Sequence, residues 1–288
     1  MKLPLTLQEQ IKLLKSRSLS FDDESKVEDV LSRLNYYRLS GYWRKYQIDP
    51  ENGNDNFRAG TTFEEIVELY DLDSELRNLL RKGIEIFEVF FRTKFAYCMA
   101  HSEENGQFLY LRSSSYSYNP NLKFETPQEL LEKIENERKR STEIYAKHYK
   151  NKGEEMPIWA AVELLSFGTI SKMYSRYLNK SVVKNVSLNF KSIKSYEETI
   201  GILHAFVYLR NLCAHQARIW NRKTSISTTD KNYLQKFGYS KYKAQWRIIS
   251  ILMLLVDEIN QSNEYSKEVL NLCKSNDEFY AGLTDPNL

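Results

Sequence analysis

Apolar residues recur along this chain at the three- and four-residue intervals of helices rather than in strict alternation. Segments 5–19 and 27–37 read as short amphipathic helices, with Ser20 and Asp22 as caps between them. An aromatic cluster around a glycine follows, from Tyr36-Tyr37 through Gly41 to Tyr42-Trp43, and the Asn-, Asp- and Gly-rich stretch 49–60 reads as a loop. Thr62 and Glu65 form a capping box that opens a helix reaching about His101. Its apolar stripe includes Ile66, Leu69, Leu76, Leu79, Leu80, Ile84, Phe87, Phe91 and Phe95. A tyrosine-rich loop over 113–121 precedes a second capping box, Thr126 with Glu129, and Pro127 starts a polar helix predicted to run toward Lys150. Further helices are predicted over 158–178, over 196–222 behind the Ser195 cap, over 241–259 and, last, over 264–275. The expected fold class is all-α: a bundle of long antiparallel helices over 61–262, an N-terminal helical subdomain over 1–60, and a C-terminal helix and tail over 263–288.

Composition narrows the function classes. Ten glycines and six prolines in 288 residues disfavour the many tight turns of an all-β fold. The longest apolar run, 248–256, is interrupted by Ser250 and falls short of the roughly 18 residues a membrane-spanning helix needs. Met1-Lys2-Leu3-Pro4 has no signal-peptide apolar core. Cys98, Cys213 and Cys273 form neither a disulfide framework nor a CxxC pair, so a reducing cytoplasm is the expected location. Cysteines and histidines never cluster at ligand spacing, so neither a metal nor another cofactor is expected.

A net charge of +3 announces no partner, but its distribution does more. Nine cations lie between Arg210 and Arg247 (Arg210, Arg218, Arg222, Lys223, Lys231, Lys236, Lys241, Lys243 and Arg247), opposed there only by Asp230. Such a segment attracts phosphate, although a solvated helix face carries similar runs. On a helix extending to Arg222, Asn211, His215, Arg218 and Arg222 fall on one stripe, with Arg210 one step round. No Asp or Glu occurs from Thr199 to Thr229 to pair with these cations. An external anion such as a phosphodiester is the natural counter-charge. Histidine moves protons near neutral pH and arginine stabilises charge on phosphoryl oxygens. With RNA, the 2′-hydroxyl is itself the nucleophile, so cleavage requires no metal and leaves a 2′,3′-cyclic phosphate and a 5′-hydroxyl.

The string Arg210-Asn211-Leu212-Cys213-Ala214-His215 resembles the R-x4-6-H motif of HEPN ribonucleases. Its continuation through Arg218, Trp220, Asn221 and Arg222 resembles the Abi-like (AbiD/AbiF) family of bacterial abortive-infection proteins. So do Tyr37-Arg38-Leu39-Ser40-Gly41-Tyr42, Tyr70-Asp71 with Arg77, Ile86-Phe87-Glu88-Val89 with Arg92, Pro157-Ile158-Trp159 and Ser166-Phe167-Gly168. The likeness covers roughly residues 5 to 260. It implies a HEPN-type helical bundle, a homodimer whose two motifs meet in one composite site, and antiphage or toxin-like ribonuclease activity, in some members beside a regulatory RNA. By position, Arg210 and His215 would be catalytic, with Asn211 orienting them. Arg218, Arg222 and Lys223 would contact RNA. Gln216 and Ala217 stand where some related toxins carry a tyrosine that is modified to silence them.

Blander readings stand beside these. Glu85, Glu88 and Arg92 form intrahelical ion pairs, or Glu88, with Arg92 alongside, packs behind Arg210 and holds its guanidinium. His204 is expected to pack in the core, and His101 and His148 to face solvent. Tyr36, Tyr37, Tyr42 and Trp43 either stack on RNA or form an N-terminal core with Arg38, Arg44 and Lys45 at its rim, the second being favoured. Tyr110, Tyr116 and Tyr118 are expected in a loop. The alternative to a nuclease is a non-catalytic RNA-binding module, or a toxin held by a cognate regulatory RNA; a structural scaffold is the third reading.

Overall fold

The computed structural model of the protein describes residues 3–118, 125–226 and 236–287, so Asp230 and Lys231 of the basic segment lie outside the described residues. Helices α1 (Leu7–Ser16), α2 (Glu24–Arg33) and α3 (Tyr36–Trp43) lead into a hairpin of β1 (Gln47–Asp49) and β2 (Asn54–Phe57). This antiparallel pair, with Gln47 opposite Phe57, lies partly within the expected loop. Helix α4 (Phe63–Ala100) follows, capped by Thr62 and Glu65 as predicted.

The predicted polar helix divides into α5 (Pro127–Arg140) and α6 (Ile144–Lys152), and Ser141 at the α5 C-cap is extended. The predicted 158–178 helix likewise divides into α7 (Ile158–Ala161) and α8 (Phe167–Arg176), because the Ser166 hydroxyl accepts from the Thr169 amide and starts a new helix. Helix α9 (Lys180–Ser187) has no counterpart in the expected pattern. Then come α10 (Tyr196–Ala214), α11 (Gln245–Asn260), α12 (Glu264–Cys273) and α13 (Asp277–Thr284). The last of these also went unpredicted. Helix α11 begins four residues later than expected, after an extended Ala244.

The fold is all-α apart from the hairpin. Helix α4 is its axle, packing against α3, α7, α9, α10, α11 and α12. The reason lies in its stripe: Ile66, Leu76, Leu80, Phe87, Phe91 and Phe95 are all fully buried. Phe87 stands at the centre of an aromatic cluster, edge-on to Phe206 of α10 with centroids 4.8 Å apart. One hydrophobic cluster runs from Ile11 to Leu283 without a break between the N-terminal helices and the bundle. Tyr110 and Tyr116, expected in a loop, are buried, and their hydroxyls donate to the Met156 and Tyr110 carbonyls. Tyr118 is exposed. Among the described residues no helix is long and apolar enough to cross a membrane.

Candidate functional site

Helix α10 does not reach Arg222; it ends at Ala214, with His215 as its C-cap. Gln216 adopts a left-handed backbone, φ 51°, which reverses the chain. The Gln216 amide donates to the Cys213 carbonyl at 3.1 Å and the Ala217 amide to Leu212 at 2.8 Å. These are the paired bonds of a Schellman cap, formed here around glutamine rather than glycine. Asn211 and His215 still share a face one turn apart, and the His215 amide donates to the Asn211 carbonyl at 3.0 Å. Arg218 and Arg222 lie beyond the reversal and leave the expected stripe.

The reversed segment is held from four directions. From α4, the fully buried Asp73 carboxylate accepts from the Ile219 and Trp220 amides at 3.2 and 2.9 Å. It also accepts from the Tyr42 hydroxyl at 2.6 Å and from Arg77. Burial pushes this carboxyl above its ordinary range, while Arg77, Tyr42 and the two amides pull it back. From α3, Tyr42 stacks on Trp220 with planes 8° apart, and Arg38 donates to the Gln216 carbonyl at 2.8 Å. From the C-terminus, Gly282 packs closely against the Trp220 indole and its carbonyl accepts from the Asn221 amide at 3.1 Å. Finally Arg218, wedged beneath Gly41, donates to the Trp220 and Asn221 carbonyls, both at 2.9 Å.

Against this fixed backbone, Arg210, Asn211 and His215 are exposed. None of the three side chains has a hydrogen-bond or ion-pair partner among the described residues. Arg222 is half-buried and Lys223 exposed, likewise without ion-pair partners, and Lys223 bridges to Ala244 ahead of α11. These five residues are brought to one end of α10 and the loop after it.

Three expectations need correction. Arg218 is a strut of the loop, its guanidinium occupied by carbonyls, and burial lowers its pKa. Glu88 does not hold Arg210: it accepts from Arg92, whose guanidinium also donates to the Val162 and Leu165 carbonyls and so ties α4 to the α7–α8 turn. His204 is exposed rather than packed in the core, and lies on the face that leads to Asn211. His101 and His148 are exposed as expected.

Sequence reasoning overlooked Asp73, although its signal was present. It occupies a stripe position between Leu69 and Leu76, where a carboxylate enters the core only with partners. Its ion pair is with Arg77 of the same helix rather than with a cation of 199–229, and later in the basic segment Lys236 and Lys241 pair with Asp257 and Asp285. Among the described residues no group of three or more His, Cys, Asp or Glu side chains could hold a metal ion.

The sequence model of the Abi-like protein family matches residues 29–221, from α2 through the reversed segment that ends at Asn221. Searches of curated proteins and of solved structures find no match. The matched span holds Arg38, Asp73, Arg77 and Trp220, which fix the end of α10, together with the exposed Arg210, Asn211 and His215. It covers well over half of the sequence, and the chain belongs to the Abi-like protein family.

Proposed function

We propose that this chain is a metal-independent endoribonuclease of the HEPN type, serving the abortive-infection defence that its family suggests. One observation carries the reading. Arg210, Asn211 and His215 are exposed, with side chains unpartnered among the described residues, at the end of a helix whose following loop is fixed by Asp73, Arg38 and Arg218. A surface that merely needed solubility would not require so rigid a backbone beneath it, whereas a reacting phosphate does.

In this reading the 2′-hydroxyl oxygen attacks phosphorus as His215 takes its proton, and the bond to the 5′-oxygen breaks. Arg210 neutralises the charge that gathers on the phosphoryl oxygens, and Asn211 orients the phosphate. The leaving 5′-oxygen needs a proton from the opposite side. One protomer offers a single histidine at this position, so His215 of a second copy supplies it, which makes the homodimer the working unit. Arg222 and Lys223 extend the anion-binding surface along the RNA.

The test is incubation of purified protein with labelled single-stranded RNA in excess EDTA, beside His215→Ala. Cleavage by wild type alone, leaving cyclic-phosphate ends, is the expected result. RNA bound but never cut would overturn the nuclease reading and favour a non-catalytic module or a toxin silenced by a regulatory RNA.

A further inference from the structure

Helix α3 holds the motif loop with one side and lines a groove with the other. Arg38, Gly41, Tyr42 and Lys45 meet the loop and its Trp220. Tyr36, Tyr37, Trp43 and Arg44 line the groove, whose volume is about 840 Å³. Its far walls come from Leu3, Pro4 and Leu5 ahead of α1, from α1 and from the β-hairpin, including Arg17 and Asp55. A cavity of this size accommodates a nucleotide.

Its chemistry is graded by depth. Trp43 is buried and forms the floor. Tyr36 meets Trp43 edge-on at 4.8 Å, and Tyr37 meets Tyr36 edge-on at 5.9 Å, so the three rings brace one another outward. Tyr37 ends the series 73% exposed, a large apolar face offered to solvent. Among the described residues the groove's one carboxylate, Asp55, is neutralised by Arg17 at 2.6 Å, and Arg17 also donates to the Tyr36 hydroxyl at 3.2 Å. Arg44 is exposed without an ion-pair partner among the described residues, leaving a net cation in the groove that Tyr37 also lines.

An exposed ring and an ion-pair-free guanidinium about two helical turns apart along one groove suit a base and a phosphate of one strand. An apolar peptide would bury Arg44 without compensating its charge. We propose that this groove is a nucleotide subsite, in which one base of the single-stranded RNA stacks on Tyr37 while its phosphate meets Arg44. This rests on the ribonuclease reading and deepens it: the substrate is unpaired RNA crossing α3 between groove and His215. The helix is about 10 Å across with its side chains, so one strand can engage both sides.

The test measures binding of a short fluorescein-labelled oligouridylate by anisotropy, with His215→Ala as the parent so that no cleavage intervenes. Into it go Tyr37→Ala, Tyr37→Phe and Arg44→Ala, with circular dichroism confirming the fold. Tyr37→Ala and Arg44→Ala are each expected to weaken binding about tenfold, while Tyr37→Phe stays near the parent. RNA affinity unchanged in Tyr37→Ala overturns the subsite and leaves the nuclease reading standing. If oligomeric state changes instead of affinity, the groove belongs to a protein segment and the proposal is likewise overturned. RNA bound through Tyr37 by a wild type that never cleaves overturns the nuclease reading alone. No binding by the parent overturns the subsite, and cleavage by wild type then decides the other reading separately.

Discussion

Arg38 of α3 donates to the carbonyl of Gln216, the residue immediately after His215, at 2.8 Å. The bond joins an exposed side chain to the carbonyl of Gln216, the residue whose left-handed backbone reverses the chain. It therefore fixes the orientation of the motif's last turn without contributing a reactive group. Arg38→Ala is expected to cost only about 1 kcal/mol of stability, because the position is exposed and a single hydrogen bond is lost. Under the proposed function, RNA cleavage should fall by about tenfold to a hundredfold, since small misplacements of reacting groups are costly. Urea unfolding and cleavage rates measured on the same preparation check both halves. A loss of stability as large as the loss of activity would show that Arg38 merely supports the fold.

Asp73 makes the opposite prediction. It is fully buried and serves two backbone amides, Tyr42 and Arg77 at once. Removing it strands a buried guanidinium and two amides, so Asp73→Ala is expected to lose about 3–5 kcal/mol in urea unfolding. Asp73→Ala combined with Arg77→Met should recover part of this by removing the uncompensated charge. Recovery should stay incomplete because the Ile219 and Trp220 amides remain unpaired. Full recovery would mean that the amides find other partners and that Asp73 does not hold the loop.

These residues explain what could be read in the sequence and what could not. The α4 boundaries were legible because Thr62 and Glu65 cap one end and a continuous apolar stripe runs to the other. The end of α10 was not. Glycine usually marks such a reversal, and here Gln216 adopts the left-handed backbone while the cationic residues beyond it keep a helical spacing by coincidence. Arg210, Asn211 and His215 stood out as candidates because they carry polar chemistry at helical spacing, and the structure leaves all three exposed at the end of α10. Arg38 and Asp73 act on the site from other helices, 178 and 146 residues from the backbone groups Gln216 and Ile219 that they hold. Arg218 was misplaced for the same reason: its partners are carbonyls, which no side-chain pattern encodes.

Gly282 supplies a prediction from the C-terminus. A Cβ there would lie 2.2 Å from Trp220 Nε1 and 2.6 Å from Cε2, inside a rigid ring already stacked on Tyr42. Neither partner can yield cheaply, so Gly282→Ala is expected to destabilise by roughly 1–3 kcal/mol. In a Trp220→Phe background the smaller ring leaves room, and the penalty should shrink. Chemical unfolding of the four-protein cycle measures this coupling, and additive effects would place Gly282 outside the contact.

The thiols report on whether the end of α10 opens. Cys213, two residues before His215, is buried, and burial pushes its thiol up to about 12; Cys273 is pushed up by burial as well. Cys98 is only partly buried, with its thiol raised by burial and drawn back by Lys94. The reactive species is the thiolate. At about pH 8 iodoacetamide is therefore expected to label Cys98 first in the native protein, and Cys213 and Cys273 only once urea is added. The same shifts fix the sign of the alkaline response. An unfolded thiol releases its proton near about 8.5, whereas folded Cys213 keeps its proton to about 12. The folded state thus binds more protons across this window, and its stability is full below the window and declines as pH rises through it. A melting temperature that falls from neutral to strongly alkaline pH is expected. Native labelling of Cys213 as fast as Cys98 would instead mean that the last turn of α10 opens readily, and that the rigid presentation of His215 is lost in solution.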